Sequence, residues 1–471
     1  MRRLGLALSL AALSLAGGAA GIARRAGPAP VRLLFTGDIL LSRQVAVEQR
    51  RTGGSPWHSV APLFARADWV GGNLEGAIGP DSDCVKAGDS LCFAFGADAA
   101  RQLAAGGFSM VTVANNHAGD LGDAGRIATA RALSAARVMP VSFEASPRFV
   151  RIGGVTLGIV AITLVPGADG RMQAVPSTEV AQRLRVAHTL ANVVVVSIHW
   201  GTELQDWPTG AQRSAAAWLV DHGADIVVGH HPHVVQRPEC VHGHPVFFSL
   251  GNHVFDQKYP ETKAGLIADC SLWRDRLRCD GIRTRARRGS AVPVPEGNLG
   301  DAALASCAPA VRGPLVVDGW TMRPAPWSAA EDDSAGVVLE GWRGGARQWR
   351  TRRVSLVSLD TGLARRDGTP LLLALERHPS AMDGEVATRP HVYRVGSRGL
   401  IAMWRGTALA WPLLDAVVAP DGALCALHRG DSFLRPDPAT TGKTRTMRYR
   451  WNGFGFSAVD DAGGSCARSL P

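Results

Sequence analysis

Three histidines fall within four residues, at His230, His231 and His233, directly after the short apolar run 225–229. Two imidazoles spaced two apart in an extended turn can be aimed at one point, and neutral imidazole is a common metal ligand. His231 and His233 are therefore read as ligands rather than as core histidines. His199 closes a second apolar run, 192–200, and by itself reads equally well as a ligand or as a satisfied core histidine. Glu203, just beyond it, is either a partner that orients an imidazole or a solvent-facing charge. Residues 114–122 put Asn115, Asn116 and His117 just past a third apolar run, where an asparagine can equally cap a turn. Asp38 and Glu75 add carboxylates, the hard oxygen ligands that could bridge two metals ~3.5–4 Å apart. Their alternatives are a helix N-cap for Asp38 and a surface charge for Glu75. Taken together, this set reads as a candidate site for two divalent metal ions.

The elements that must position these residues follow from the apolar patterning. Runs at 31–36, 67–75, 109–115, 155–163, 192–200, 225–229 and 245–251 read as strands. Helices are expected at about 123–136 and up to a glycine stop at 223. Continuous apolar strands separated by helices predict an α/β layered core over 31–280. Five of the strands end in Asp, Glu, Asn or His, and α/β folds bind ligands beyond the carboxyl ends of their strands. Residues 281–311 are rich in Arg, Pro and Gly and read as a linker or long loop. From 312 to 471, short apolar runs divided by turn residues predict a mostly β domain. Trp-Arg-Gly at 342–344 and again at 404–406 hints at a repeated β unit.

A chain of 471 residues allows two or three domains. Its hydrophobic share of 46% and charged share of 20% argue against disorder throughout. The net charge of +10 rests almost entirely on Arg, and fits either an anionic partner or an Arg-rich codon bias. No basic run interleaved with aromatics suggests a nucleic-acid face. Residues 1–29 have the layout of a secretory signal, with a retained anchor and membrane association as the competitor. The bulk of the protein is therefore expected outside the cytoplasm, where disulfides form. Of eight cysteines, Cys84 with Cys92 and Cys270 with Cys279 are expected as local loop staples. Neither a close CxxC pair nor a GxSxG elbow is present.

The segments FTGDILLSR, GGNLEGAI, VTVANNHAGDLG, SIHWGTE, GHHPHVVQ and FFSLGNHVFDQ resemble, in order, the motif series of the CapA-type poly-γ-glutamate capsule biosynthesis proteins, within the calcineurin-like metallophosphoesterase superfamily. The resemblance spans about residues 31–275. It implies a four-layer α/β/β/α sandwich and two divalent metal ions (Mn, Fe, Zn or Mg). It implies Asp38, Glu75, Asn116, His199, His231 and His233 as ligands. Asp38 and His117 are the catalytic residues on this reading, with His117 as acid or transition-state stabiliser. Asn73, Asn115, Asp120, Glu203, His230 and Asn252 are expected to support the ligands. Leu40 stands where the superfamily usually has a histidine, so one imidazole is missing. His253 is read as a polar loop residue rather than an added ligand. The implied reaction is phosphoester hydrolysis. The implied partners are an anionic envelope polymer, a phosphorylated glycan or lipid carrier, and other capsule-export proteins. The competing readings are a non-catalytic polymer-binding or export factor and an amide-bond hydrolase acting on the polymer.

Overall fold

In a computed structural model, residues 30–85, 91–329, 336–380, 384–407, 409, 411–430, 442–459 and 466 are described. The segment expected to be a signal or anchor, 1–29, lies outside them. Two sheets form the first unit. The first runs in the order Pro293–Asn298, Leu277–Ala286, Ala264–Leu272, Val31–Ile39, Trp69–Leu74, Met110–Thr112, Met139–Val141, with Asn252–Val254 also paired to Val31–Ile39. The second runs Glu239–Val241, His244–Phe247, Ile226–His230, Val193–His199, Val155–Thr163, Arg148–Ile152. The strands that approach the site pair in parallel within each sheet.

Strand alternation explains the layering. In Val193–His199, Val193 and Val195 join Leu33, Phe35, Leu157, Ile159 and Val228 in a core between the sheets. Val194, Val196 and Ile198 turn the other way, onto Val180, Leu184 and Ala187 of the Thr178–Leu190 helix. On the outer face of the first sheet, Leu34, Val70 and Val111 pack with Trp57, Phe64 and Leu133. Each fully buried aliphatic side chain contributes roughly 1.5–3 kcal/mol. The result is the expected α/β/β/α sandwich. Capping fixes where its second helix layer begins. Ser177 accepts from Val180 N at 3.3 Å, and Thr209 and Gln212 form a reciprocal capping box at the start of Gly210–Asp221.

Residues 281–311 are not a linker. They hold the end of the Leu277–Ala286 strand, the Pro293–Asn298 strand and the Ala302–Ala305 helix, and they extend the first sheet. The Arg-rich composition misleads because Arg278, Arg283 and Arg285 alternate with inward residues and lie on the exposed face of a strand. Cys240–Cys307 ties this segment back to the second sheet's edge. Cys84–Cys92 pairs as expected. Cys270–Cys279 also pairs, but as directly opposed residues of two antiparallel strands rather than across a loop. With Cys425–Cys466, all eight cysteines are paired.

The C-terminal region is mostly β. One four-stranded sheet spans Leu315–Val317 to Ala346–Arg350, and an antiparallel eight-stranded sheet spans Leu356–Ala364 to Phe456–Ala458. The repeated unit suggested by Trp-Arg-Gly does not form among the described residues: Trp342 and Trp404 belong to different sheets. The Thr178–Leu190 helix is shared between the two halves. Arg185 forks onto both oxygens of the buried Asp415 at 2.9 and 3.0 Å, Gln182 donates to Leu414 O, and Thr189 donates to Leu359 O. Among the described residues, no helix is long and apolar enough to cross a membrane.

Candidate metal centre

The parallel strands of both sheets deliver their final residues to one buried place. Asp38 is set by a close backbone approach at Gly37, where a Cβ would lie 1.9 Å from Gly251 O. Only glycine lets Asp38 N reach that same oxygen at 3.0 Å. Asp38 Oδ1 accepts from Asn73 Nδ2 at 2.9 Å and lies 3.2 Å from His230 Nδ1. Its Oδ2 accepts from His231 N at 3.2 Å and lies 3.3 Å from His233 Nδ1. Burial alone would raise this carboxyl, but hydrogen bonds and charge from His230 and His233 outweigh it and hold Asp38 well below the usual range.

The histidine turn is strained. His231 and His233 both adopt positive φ, at 99° and 59°, which costs L-residues roughly 1–2 kcal/mol each. That conformation brings both imidazoles inward on either side of Pro232. Asn252 fixes the His233 ring. Its Nδ2 is committed to Gln257 Oε1 and Thr262 O, so its Oδ1 accepts from His233 Nδ1 at 2.9 Å. His233 Nε2 is left facing Glu75 Oε1 at 3.6 Å. Burial opposes protonation of His233, but Glu75 and Asp38 outweigh it and raise its pKa to about 9.

Glu75 is the centre of the arrangement. Its Oε1 lies 4.0 Å from His117 Nε2 and 4.0 Å from His199 Nε2. Neither carboxylate oxygen has a hydrogen-bond partner among the described residues, although the side chain is fully buried. Burial pushes its pKa up to about 8, against the opposing charge of His233. An unpartnered buried carboxylate is costly. Three imidazole nitrogens around one carboxylate oxygen, at distances too long for hydrogen bonds, form a set of donors without an acceptor between them. Asp38, Glu75 and His233 bring one ligand atom each within 4.8 Å and could hold a divalent ion. His199 Nε2 and Asn116 Oδ1 converge to 2.9 Å on the neighbouring side. His199 is driven well below its ordinary pKa by burial and by His231. Burial and then His233 lower His231 to about 4. Burial thus holds both rings in the neutral state in which imidazole binds metal, a state His233 must reach by giving up its proton.

The supporting residues fall into place unevenly. Asn115 donates to Asn73 Oδ1 and Leu74 O, and so links the ends of two strands behind Asp38. Asp120 holds His117 Nδ1 at 2.8 Å and turns Nε2 towards Glu75. His230 contacts Asp38 directly. Glu203 is exposed; it acts on Glu75 and His231 by charge and, among the described residues, makes no hydrogen bond that orients an imidazole. His253 is not a polar loop residue. It is buried among Trp57, Phe64 and Phe108, on the opposite face of its strand from Asn252. Leu40 is buried in the same apolar layer. Sequence reading missed Phe93, which stacks on His117 at 3.9 Å, and Arg43, whose guanidinium lies 5.4 Å from the Phe93 ring. Arg43 follows Asp38 within the first motif, which is the one signal that could have marked it.

The family model described as bacterial capsule synthesis protein PGA_cap matches residues 32–257. The PGA biosynthesis protein CapA of Bacillus subtilis is 31% identical over 254 residues, covering 50% of this chain and 67% of that protein. The capsule biosynthesis protein CapA of Bacillus anthracis is 28% identical over 288 residues, covering 56% and 69%.

Proposed function

The chain belongs to the bacterial capsule synthesis PGA_cap family, and on that premise we propose that it is an exported, metal-dependent hydrolase that cleaves a phosphoester in the synthesis of a capsule or envelope polymer. The observation that carries this reading is Glu75, a buried carboxylate with no partner among imidazole nitrogens. Asp38, Glu75 and His233 would hold one ion, and Asn116, His199 and His231 would hold a second. Bound there, two divalent ions supply Lewis-acid polarisation of a phosphoryl oxygen and a water of lowered pKa. His117, fixed by Asp120, presents Nε2 to the leaving oxygen and is the proton donor. Asn73 and Asn252 hold Asp38 and His233 in register. Phe93 and Phe255 wall the rings of His117 and His233 and keep water from their sides. The substrate is an anionic envelope polymer or a phosphorylated glycan or lipid carrier. Four disulfides agree with an oxidising compartment.

His231→Ala tests the reading. Metal content by elemental analysis and Mn²⁺-supported hydrolysis of an aryl phosphate should both be lost. Retained phosphoester hydrolysis in that variant sinks the idea. One observation favours a second reading, a polymer-holding or export factor without hydrolysis: Leu40 removes an imidazole from the usual set. Metal bound by the wild-type protein without turnover of any phosphoester would select it. An amide-bond hydrolase would use the same water, and a panel of polymer and phosphoester substrates separates the two.

A further inference from the structure

The Cys84–Cys92 bridge stands directly behind His117. Phe93, the residue after Cys92, ties two sides of the site together through its backbone. Its N donates to Asp120 Oδ2 at 2.8 Å, the same oxygen that lies 2.8 Å from His117 Nδ1. Its carbonyl accepts from Ala77 N at 2.9 Å, two residues past Glu75. That approach requires a bare backbone, because Gly76 has φ 144° and a Cβ there would lie 2.5 Å from Phe93 O. The Phe93 ring stacks on His117 at 3.9 Å, with 19° between the planes. The bridge closes this arrangement from outside. Val85 N donates to Asp120 O at 2.9 Å, and both cysteines pack with Ala77, Ala94 and Leu121. Phe93 and Asp120, which together orient His117, are thus both anchored beside the bridge. Exposure also sets it apart. Cys84 and Cys92 are each partly exposed, whereas Cys270, Cys279, Cys307, Cys425 and Cys466 of the other three bridges are buried. Exchange requires a thiolate to reach a sulfur, so the most accessible bridge opens first.

We infer that Cys84–Cys92 is a redox latch on His117: closed, it holds Phe93 and Asp120 so that His117 faces the leaving oxygen; opened by a dithiol, it frees Phe93 and lets the His117 ring turn away. In opening, a thiolate of the dithiol attacks one sulfur, its second thiol resolves the mixed disulfide, and the reductant leaves as a cyclic disulfide. Two electrons and two protons pass to the protein, and Cys84 and Cys92 end as free thiols. Asp38 and His199 sit at strand ends whose pairing does not involve the bridge, so the latch acts on the proton donor rather than on the ions. Phe93 and the bridge are positioning groups. The inference rests on the reading of His117 as proton donor and adds what keeps it in place. A chain in a reducing compartment would hold that donor disengaged, and oxidation after export would engage it.

The test uses the full chain with Mn²⁺ and two esters: p-nitrophenyl phosphate, whose leaving group departs without a proton, and an alkyl phosphate, whose leaving oxygen needs one. Wild type is reduced with dithiothreitol and freed of it by gel filtration; alkylation and mass analysis should place the new thiols at Cys84 and Cys92. Reduced wild type and untreated Cys84→Ser/Cys92→Ser should lose about 30-fold in kcat on the alkyl ester and less than about threefold on the nitrophenyl ester, as expected when a general acid is displaced. Reoxidation with diamide should restore wild type. Phe93→Ala, with the bridge intact, should show the same difference between esters, and Phe93→Tyr should not. A readout independent of turnover is the His117 Cε1 proton resonance of the metal-free protein, which the Phe93 face shields. It should move downfield on reduction and in Phe93→Ala. Equal loss on both esters, loss on neither, an unmoved resonance, or earlier reduction of another bridge overturns the inference. A wild type that cleaves neither ester removes the hydrolase reading, and the resonance alone then decides this one.

Discussion

The two halves of the molecule bury the same kinds of polar residue and treat them in opposite ways. In the C-terminal sheet, Glu376 Oε1 accepts from the Tyr393 hydroxyl at 2.7 Å, and its Oε2 lies 3.2 Å from His391 Nδ1. Burial would raise the Glu376 carboxyl, but those bonds outweigh it and lower its pKa. His428 is held between Trp411 O and the Tyr449 hydroxyl. At the candidate metal centre, Glu75 is more deeply buried than Glu376 and has no hydrogen-bond partner among the described residues. Satisfied buried polar groups stabilise a fold; unsatisfied ones are costly and are candidate sites for a ligand or an ion. Among the buried carboxylates of the described residues, Glu75 alone has both oxygens unpartnered, and it lies where the strands end.

The comparison breaks most sharply at Glu75. Glu75→Gln should reduce metal-dependent turnover by more than about 10²-fold, beyond what loss of an outer supporting group costs. The same change removes a buried carboxyl, so the metal-free protein should melt about 1–3 °C higher. A lower melting temperature would show that Glu75 is satisfied after all. A smaller effect is expected at His253, whose two ring nitrogens lie without partners among aromatic rings. Burial lowers its pKa from 6.5 to about 3. Between those values the unfolded chain takes up a proton that the folded chain rejects, so stability falls as pH drops below about 6.5. Wild type should lose about 2 kcal/mol between pH 7.5 and 5 through this group. His253→Phe should flatten that dependence in urea titrations, and parallel curves for the two proteins would rule it out. The smallest effect sharpens the other side of the contrast. Tyr393→Phe should cost about 1 kcal/mol of stability and leave turnover within twofold, because it removes one satisfied bond far from the centre. A large loss of activity there would erase the distinction between the halves.

Much of the site was legible because parallel strands advertise their ends. Val193–His199 is apolar until its last residues, and Ile226–His230 runs straight into the histidine turn. Alternation was the weak point. The Leu277–Ala286 strand hides behind outward arginines and resembles a loop. His253 and Asn252 are neighbours, yet one faces aromatic rings and the other faces His233. Nothing local distinguishes them, since the sheet's register decides which points inward. Phe93 carries no signal because its contact with His117 depends on a distant segment. Glu203 failed as an orienting partner because the loop after His199 carries it out to solvent.

The helix Thr178–Leu190 has a mechanical meaning. One of its sides rests on the strand that ends in His199, and the other is bolted to the C-terminal sheet through Arg185 and Asp415. A load applied to that sheet would reach the strand that ends in His199 through this helix. Removing the sheet would strip that helix of its outer cover and expose an oily seam. The C-terminal half is thus a buttress rather than an appendage.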